Sequence, residues 1–173
     1  STYAPSKLIV WGSSYSSSLV LILASEHPDE IAAVLSFSPG EYFKLDGKLD
    51  AIVFGCGSSG TMTGLSRFLA KATPDTELIL ADPVGSILEE YINRGTLSEK
   101  SASWMVEGIG EDFLPPISDF TRVKKAYAIS DRESFLTARE LLEKEGILGG
   151  SSTGTLLAAA LKYCHEQTAP KRV

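Results

Sequence analysis

The stretch DAIVFGCGSSGTMTGL, residues 50–65, decides the fold. Asp50–Phe54 is a short apolar run of strand length. From Thr61 to Ala72 the residues Met62, Leu65, Phe68, Leu69 and Ala72 recur at helical spacing. Gly57-Ser58-Ser59-Gly60-Thr61 lies between the two. A strand that turns through glycines into a helix is the building unit of a parallel sheet covered by helices. In such a turn consecutive N–H groups can face inward at a helix N-terminus, where the dipole favours an anion, and the hydroxyls of Ser58, Ser59 and Thr61 can add donors. Such a turn is more often a plain connection than a ligand site, and the residues alone leave both readings open.

The alternation continues in both directions. Lys7–Trp11, Ala33–Phe37, Glu77–Ala81 and Lys125–Ile129 read as strands, and Ser16–Glu26, Ile87–Asn93 and a stretch from about Thr153 to His165 as helices. Ser130 and Glu133 form a capping-box pattern at the start of a further helix, whose apolar face reads as Phe135, Ala138, Leu141 and Leu142 and which Gly146 ends. These runs predict a three-layer α/β sandwich, a single domain over residues 1–173 with a mostly parallel, Rossmann-like sheet of about five strands. Lys125–Ile129, Glu77–Ala81 and Asp50–Phe54 are expected side by side, with the first two strands beyond. Thr96–Lys124 has no periodic pattern, and a connection that long is usually a functional loop or partly disordered.

Composition limits the partners. The chain has 173 residues, 43% hydrophobic and 22% charged, with a net charge of −6. That balance argues against nucleic acid and anionic membranes, while a small anion held by backbone amides stays compatible with it. No signal peptide or membrane-spanning run is read, and the chain is expected to be cytoplasmic. Cys56, Cys164, His27 and His165 lack metal-ligand spacing, so no metal is expected.

Gly12-Ser13-Ser14-Tyr15-Ser16, between a strand and a helix, resembles the nucleophile elbow of α/β-hydrolases, with Ser14 as nucleophile and Ser16 where the family pattern has glycine. The likeness continues to about Phe43. A base and an acid for Ser14 are not found. His27 lies about 18 Å along the elbow helix at 1.5 Å per residue, and His165 ends another helix.

Lys44–Val173 resembles the later part of the catalytic domain of cystathionine β-synthase, a pyridoxal-phosphate (PLP) enzyme related in fold to cysteine synthase. The resemblance rests on DGKLDAIVFGCGSSGTMTGL, ADPVGSIL, VEGIGEDF and GILGGSSTGTLLAAALKY. It implies that Gly57, Ser58, Ser59, Gly60 and Thr61 cradle the cofactor phosphate. It also implies that Ser151 faces the pyridine nitrogen and that Gly108 and Gly110 lie beside the cofactor. The family's Schiff-base lysine belongs to an N-terminal segment with no counterpart here, and Lys44, Lys48, Lys71, Lys124 and Lys125 read as surface charges.

Two partial resemblances meeting at Phe43/Lys44 lead to the expectation of an engineered chimera of residues 1–43 and 44–173. Such a chimera would have no catalytic activity and no resident cofactor, and self-association would be open to it. The alternatives are a residual phosphate- or PLP-binding β-synthase fragment and a weak serine esterase acting through Ser14.

Overall fold

The computed structural model describes residues 8–12, 31–36, 49–97 and 101–173, the first two stretches as backbone. The chain divides into two compact units, Ser1–Asp46 and Gly47–Val173. In the first unit β1 (Leu8–Gly12) pairs in parallel with β2 (Ile31–Ser36). Ser14, the helix expected at Ser16–Glu26 and the Phe43/Lys44 junction lie outside the described residues.

The second unit holds β3 (Ala51–Gly55), α1 (Gly60–Ala72), β4 (Glu77–Pro83), α2 (Leu88–Arg94), β5 (Val123–Ile129), α3 (Asp131–Glu145) and α4 (Ser151–His165). Its sheet is parallel with the order β3-β4-β5, which sets the expected neighbours side by side. The expectation of about five strands in one sheet is corrected: the described strands form one sheet of three and one of two. Short apolar runs identify strands, but they carry no information on which sheet each one joins.

Central strand β4 explains the layers. Successive side chains of a strand point to opposite faces, and here both faces are covered. Leu78 and Leu80 join Phe54, Met62 and Leu69, together with Ile87, Leu88 and Ala126, on the α1/α2 side. Ile79 and Ala81 join Ala51, Tyr127 and Ile129, together with Ala158, Ala159 and Tyr163, on the α4 side. Helix α2 is also joined to β5 through one side chain. The Asn93 amide donates to the Ala126 carbonyl and accepts from the Ala126 N–H, both at 2.9 Å.

Two helix faces differ from the hydrophobic pattern. On α1, Met62 and Leu69 are buried, while Phe68 and Ala72 are exposed. On α3, Phe135 and Leu142 are exposed and Ser134 is the buried residue. Helix α3 meets α4 through small groups: Thr155 Oγ1 donates to Ser134 Oγ at 2.8 Å, beside Gly154. At the start of α3, Ser130 Oγ accepts from the Glu133 N–H, but the Glu133 carboxylate pairs with Lys162 of α4 rather than closing a capping box.

Candidate functional site

At the carboxyl end of β3 the chain turns sharply through Gly57-Ser58-Ser59 into α1. Ligands of parallel α/β sheets bind beyond this end of the strands. Ser58, Gly60 and Thr61 are exposed, and a Cβ added at Gly60 would meet nothing within 4 Å. The first turn of α1 carries no acidic residue. The outer side of the turn is therefore open, with free N–H groups at a helix N-terminus.

The inner side is closed. A Cβ at Gly57 would lie 2.8 Å from the Gly108 carbonyl oxygen, which leaves room for glycine alone. Ser59 differs from its sequence-based reading. It is 3% exposed and its Oγ lies 3.0 Å from the Cys56 thiol, so this hydroxyl is turned into the protein rather than outward as a donor.

Residues 101–122 form neither helix nor strand, yet they are held at many points. The Gly110 N–H donates to the Cys56 carbonyl at 2.8 Å. The Trp104 indole N–H donates to the Ile109 carbonyl at 3.0 Å. Ser86 Oγ accepts from the Glu111 N–H and donates to the Glu111 carbonyl. Thr63 Oγ1 donates to the Ile117 carbonyl and accepts from the Asp119 N–H. Gly110, at φ +88°, fits because a Cβ there would approach Pro83 to 2.4 Å and Trp104 to 2.9 Å. Side-chain periodicity could not reveal this clasp, since most of its bonds end on backbone groups that any sequence supplies.

Ser151, the first residue of α4, reaches the same loop: its Oγ accepts the Glu107 N–H at 3.3 Å. The 107–110 segment thus touches Gly57 on one side and Ser151 on the other, and so gathers the residues picked out in the sequence at one end of the sheet. Two carboxylates stand behind them. Burial pushes the Asp82 carboxyl up to about 6, partly offset by the Glu89 N–H that its Oδ2 accepts; the charges of Glu89 and Glu111 push it further up. Burial, and then Asp112, raise Glu111. Of the described lysines, Lys124, Lys125, Lys144, Lys162 and Lys171 pair with carboxylates at the surface.

The chain belongs to the family of pyridoxal-phosphate-dependent enzymes, whose profile, described as "Pyridoxal-phosphate dependent enzyme", matches residues 16–173. Within that class it is similar to the cystathionine beta-synthase of Oryctolagus cuniculus, 41% identical over 123 residues, which are 70% of this chain and 22% of the relative. It is also similar to the cysteine synthase of Helicobacter pylori, 38% identical over 143 residues, 82% of this chain and 44% of the relative. The solved structure of the O-acetylserine dependent cystathionine beta-synthase from Helicobacter pylori matches with a TM-score of 0.64 and 30% identity, over 87% of this chain and 50% of that one. The chain thus spans between 22% and 44% of the length of these curated relatives.

A profile that spans residues 16–173, and so lies across the Phe43/Lys44 junction, overturns the engineered chimera. Nothing in these matches supports an α/β-hydrolase segment. The elbow likeness arose because a strand, a turn of small residues and a helix recur throughout parallel α/β folds. The expectation of no cofactor is overturned in the same way, because the family is defined by pyridoxal phosphate.

Proposed function

We propose that residues 47–173 carry the phosphate-holding part of a PLP site in an enzyme of the β-synthase type, one that makes cystathionine or cysteine as the relatives' names state. The observation that carries this reading is the meeting of the Gly57–Thr61 turn, the 107–110 segment and Ser151 at one sheet end. The N–H groups of the turn and the hydroxyls of Ser58 and Thr61 would hold the phosphate. PLP, when bound, supplies an electron sink for charge that develops on the amino-acid substrate.

Ser151 has a definite part in this proposal. Its oxygen already accepts the Glu107 N–H, which leaves its own proton free to donate. A hydroxyl donor suits an unprotonated ring nitrogen, where a carboxylate would instead favour the protonated one. Gly108, where an added Cβ would meet nothing within 4 Å, would leave the flank beside the ring free of a side chain.

The test is a titration with inorganic phosphate and with pyridoxal phosphate, followed by amide chemical shifts. Shifts should centre on residues 57–61 for both ligands and extend to residues 107–110 and 151 for pyridoxal phosphate alone. Gly57→Val should abolish them in a protein that still folds, since its side chain must push the Gly108 carbonyl away. Shifts that centre elsewhere, or that survive Gly57→Val unchanged, would remove the basis of this reading.

A further inference from the structure

Ser59 is the only non-glycine residue with a left-handed backbone among those described, at φ 70°. Residues with a Cβ rarely hold that conformation unless their surroundings impose it. Here it is imposed at the last position before α1, and the helix depends on it: the Ser59 carbonyl accepts the Thr63 N–H at 2.9 Å. If Ser59 relaxed to a right-handed or extended backbone, the N–H groups of Gly60 and Thr61 would turn away from the open side of the turn.

The restraint on Ser59 comes from Cys56. This thiol is 1% exposed, and its Sγ lies 3.0 Å from Ser59 Oγ and 3.5 Å from the Gly57 carbonyl oxygen. Burial pushes the thiol up, so the sulfur keeps its proton. The groups then form a consistent chain: the Ser59 hydroxyl donates to sulfur, and the thiol proton points to the Gly57 carbonyl. A bond of this kind ties the two ends of the glycine-serine turn together from the inside. The Cys56 carbonyl meanwhile accepts from Gly110, so one residue anchors the turn and the 107–111 segment alike.

We infer that Cys56 is a positioning residue for the anion turn: through its thiol it holds Ser59 in the left-handed conformation and so aims the N–H groups of residues 60 and 61. The inference rests on the phosphate-holding role proposed above. It makes Cys56 and Ser59 an interdependent pair, because glycine adopts the left-handed backbone without assistance.

The experiment compares five folded proteins: the wild type, Cys56→Ala, Ser59→Gly, the double variant and Cys56→Ser. The first readout needs no ligand. Backbone couplings and carbon shifts should report a left-handed residue 59 in the wild type, its loss in Cys56→Ala, and its return in the double variant. The second readout is the dissociation constant for inorganic phosphate. Cys56→Ala should weaken binding roughly five- to tenfold, the equivalent of one net hydrogen bond. In the Ser59→Gly background the same substitution should have no effect. Cys56→Ser, which keeps a donor and an acceptor, should recover most of the loss.

A residue 59 that stays left-handed in Cys56→Ala would overturn the inference, as would an equal loss of affinity in both backgrounds. If the wild type fails to bind phosphate while the couplings follow the expected pattern, the phosphate-holding role falls and the Cys56 restraint stands.

Discussion

Gly154→Ala is expected to destabilise the protein by about 3 kcal/mol, at the upper end for overpacking a tight contact. A Cβ at this position would lie 1.9 Å from the Ser134 carbonyl oxygen and 2.9 Å from the Ala138 nitrogen. Both are backbone atoms of α3, so no side chain can rotate out of the way. Two effects oppose each other. Alanine favours helix over glycine by about 1 kcal/mol in a helix interior. Relief of the clash, however, requires α3 to move off α4 by about 1 Å or more to reach ordinary contact. That movement would stretch the buried Thr155–Ser134 hydrogen bond, now 2.8 Å, and the Lys162–Glu133 pair. The clash should therefore win. Urea denaturation measures the outcome directly. An unchanged midpoint would mean that α3 is free to ride outward and that its contact with α4 contributes little.

The second large effect is on pH dependence. Asp82 is fully buried; its Oδ2 accepts the Glu89 N–H at 2.8 Å, and its Oδ1 has no partner. Burial raises this carboxyl to about 6, and the acidic neighbours Glu89 and Glu111 act in the same direction. A raised acid binds its proton more tightly in the folded state than in the unfolded state. Its contribution to stability is thus fully present below the unfolded value near pH 4 and is lost as the pH rises through about 6. At about 1.4 kcal/mol for each pH unit, the loss from this one group should reach roughly 3 kcal/mol by neutral pH. Asp82→Asn removes the titration and keeps an oxygen for the Glu89 N–H. The stability of the variant relative to the wild type should rise by that amount between pH 4 and pH 7. Parallel pH profiles for the two proteins would show that Asp82 titrates like an exposed carboxylate.

Particular residues show how far the sequence could be read. Glu77–Ala81 is legible as a strand buried on both faces because four of its five residues are apolar. The structure extends it only to Pro83. Gly57–Thr61 is legible as a turn from strand into helix, because its glycines let the backbone curl there, while the residues alone leave its use as an anion cradle open. The contact of α3 with α4 was not legible. Hydrophobicity selects Phe135, Ala138, Leu141 and Leu142, of which Ala138 and Leu141 are half-buried and Phe135 and Leu142 exposed, whereas the contact also selects small size at Ser134 and Gly154 so that two backbones can meet. Ser59 misled for a related reason. Its hydroxyl is chemically fit to grip a phosphate, and only the left-handed backbone turns it toward Cys56. The 101–122 segment lacks periodicity because its order comes from scattered single bonds to backbone groups rather than from a repeating side-chain pattern.

Asn93 occupies one edge of the sheet of the second unit. Among the described strands β5 is one edge, and an edge strand is a template on which another chain can lay a further strand. The outward N–H and carbonyl of Ala126 are both taken by one amide, which imitates the hydrogen-bonding pair of a neighbouring strand. A newcomer on that side would have to displace Asn93 and part α2 from the sheet. On the opposite side, Asp50 and Ala51 at the start of β3 already donate to the Arg172 carbonyl, a backbone partner of the kind a strand would offer. Both edges of the described sheet thus have backbone groups already occupied, by Asn93 at β5 and by Arg172 at the start of β3.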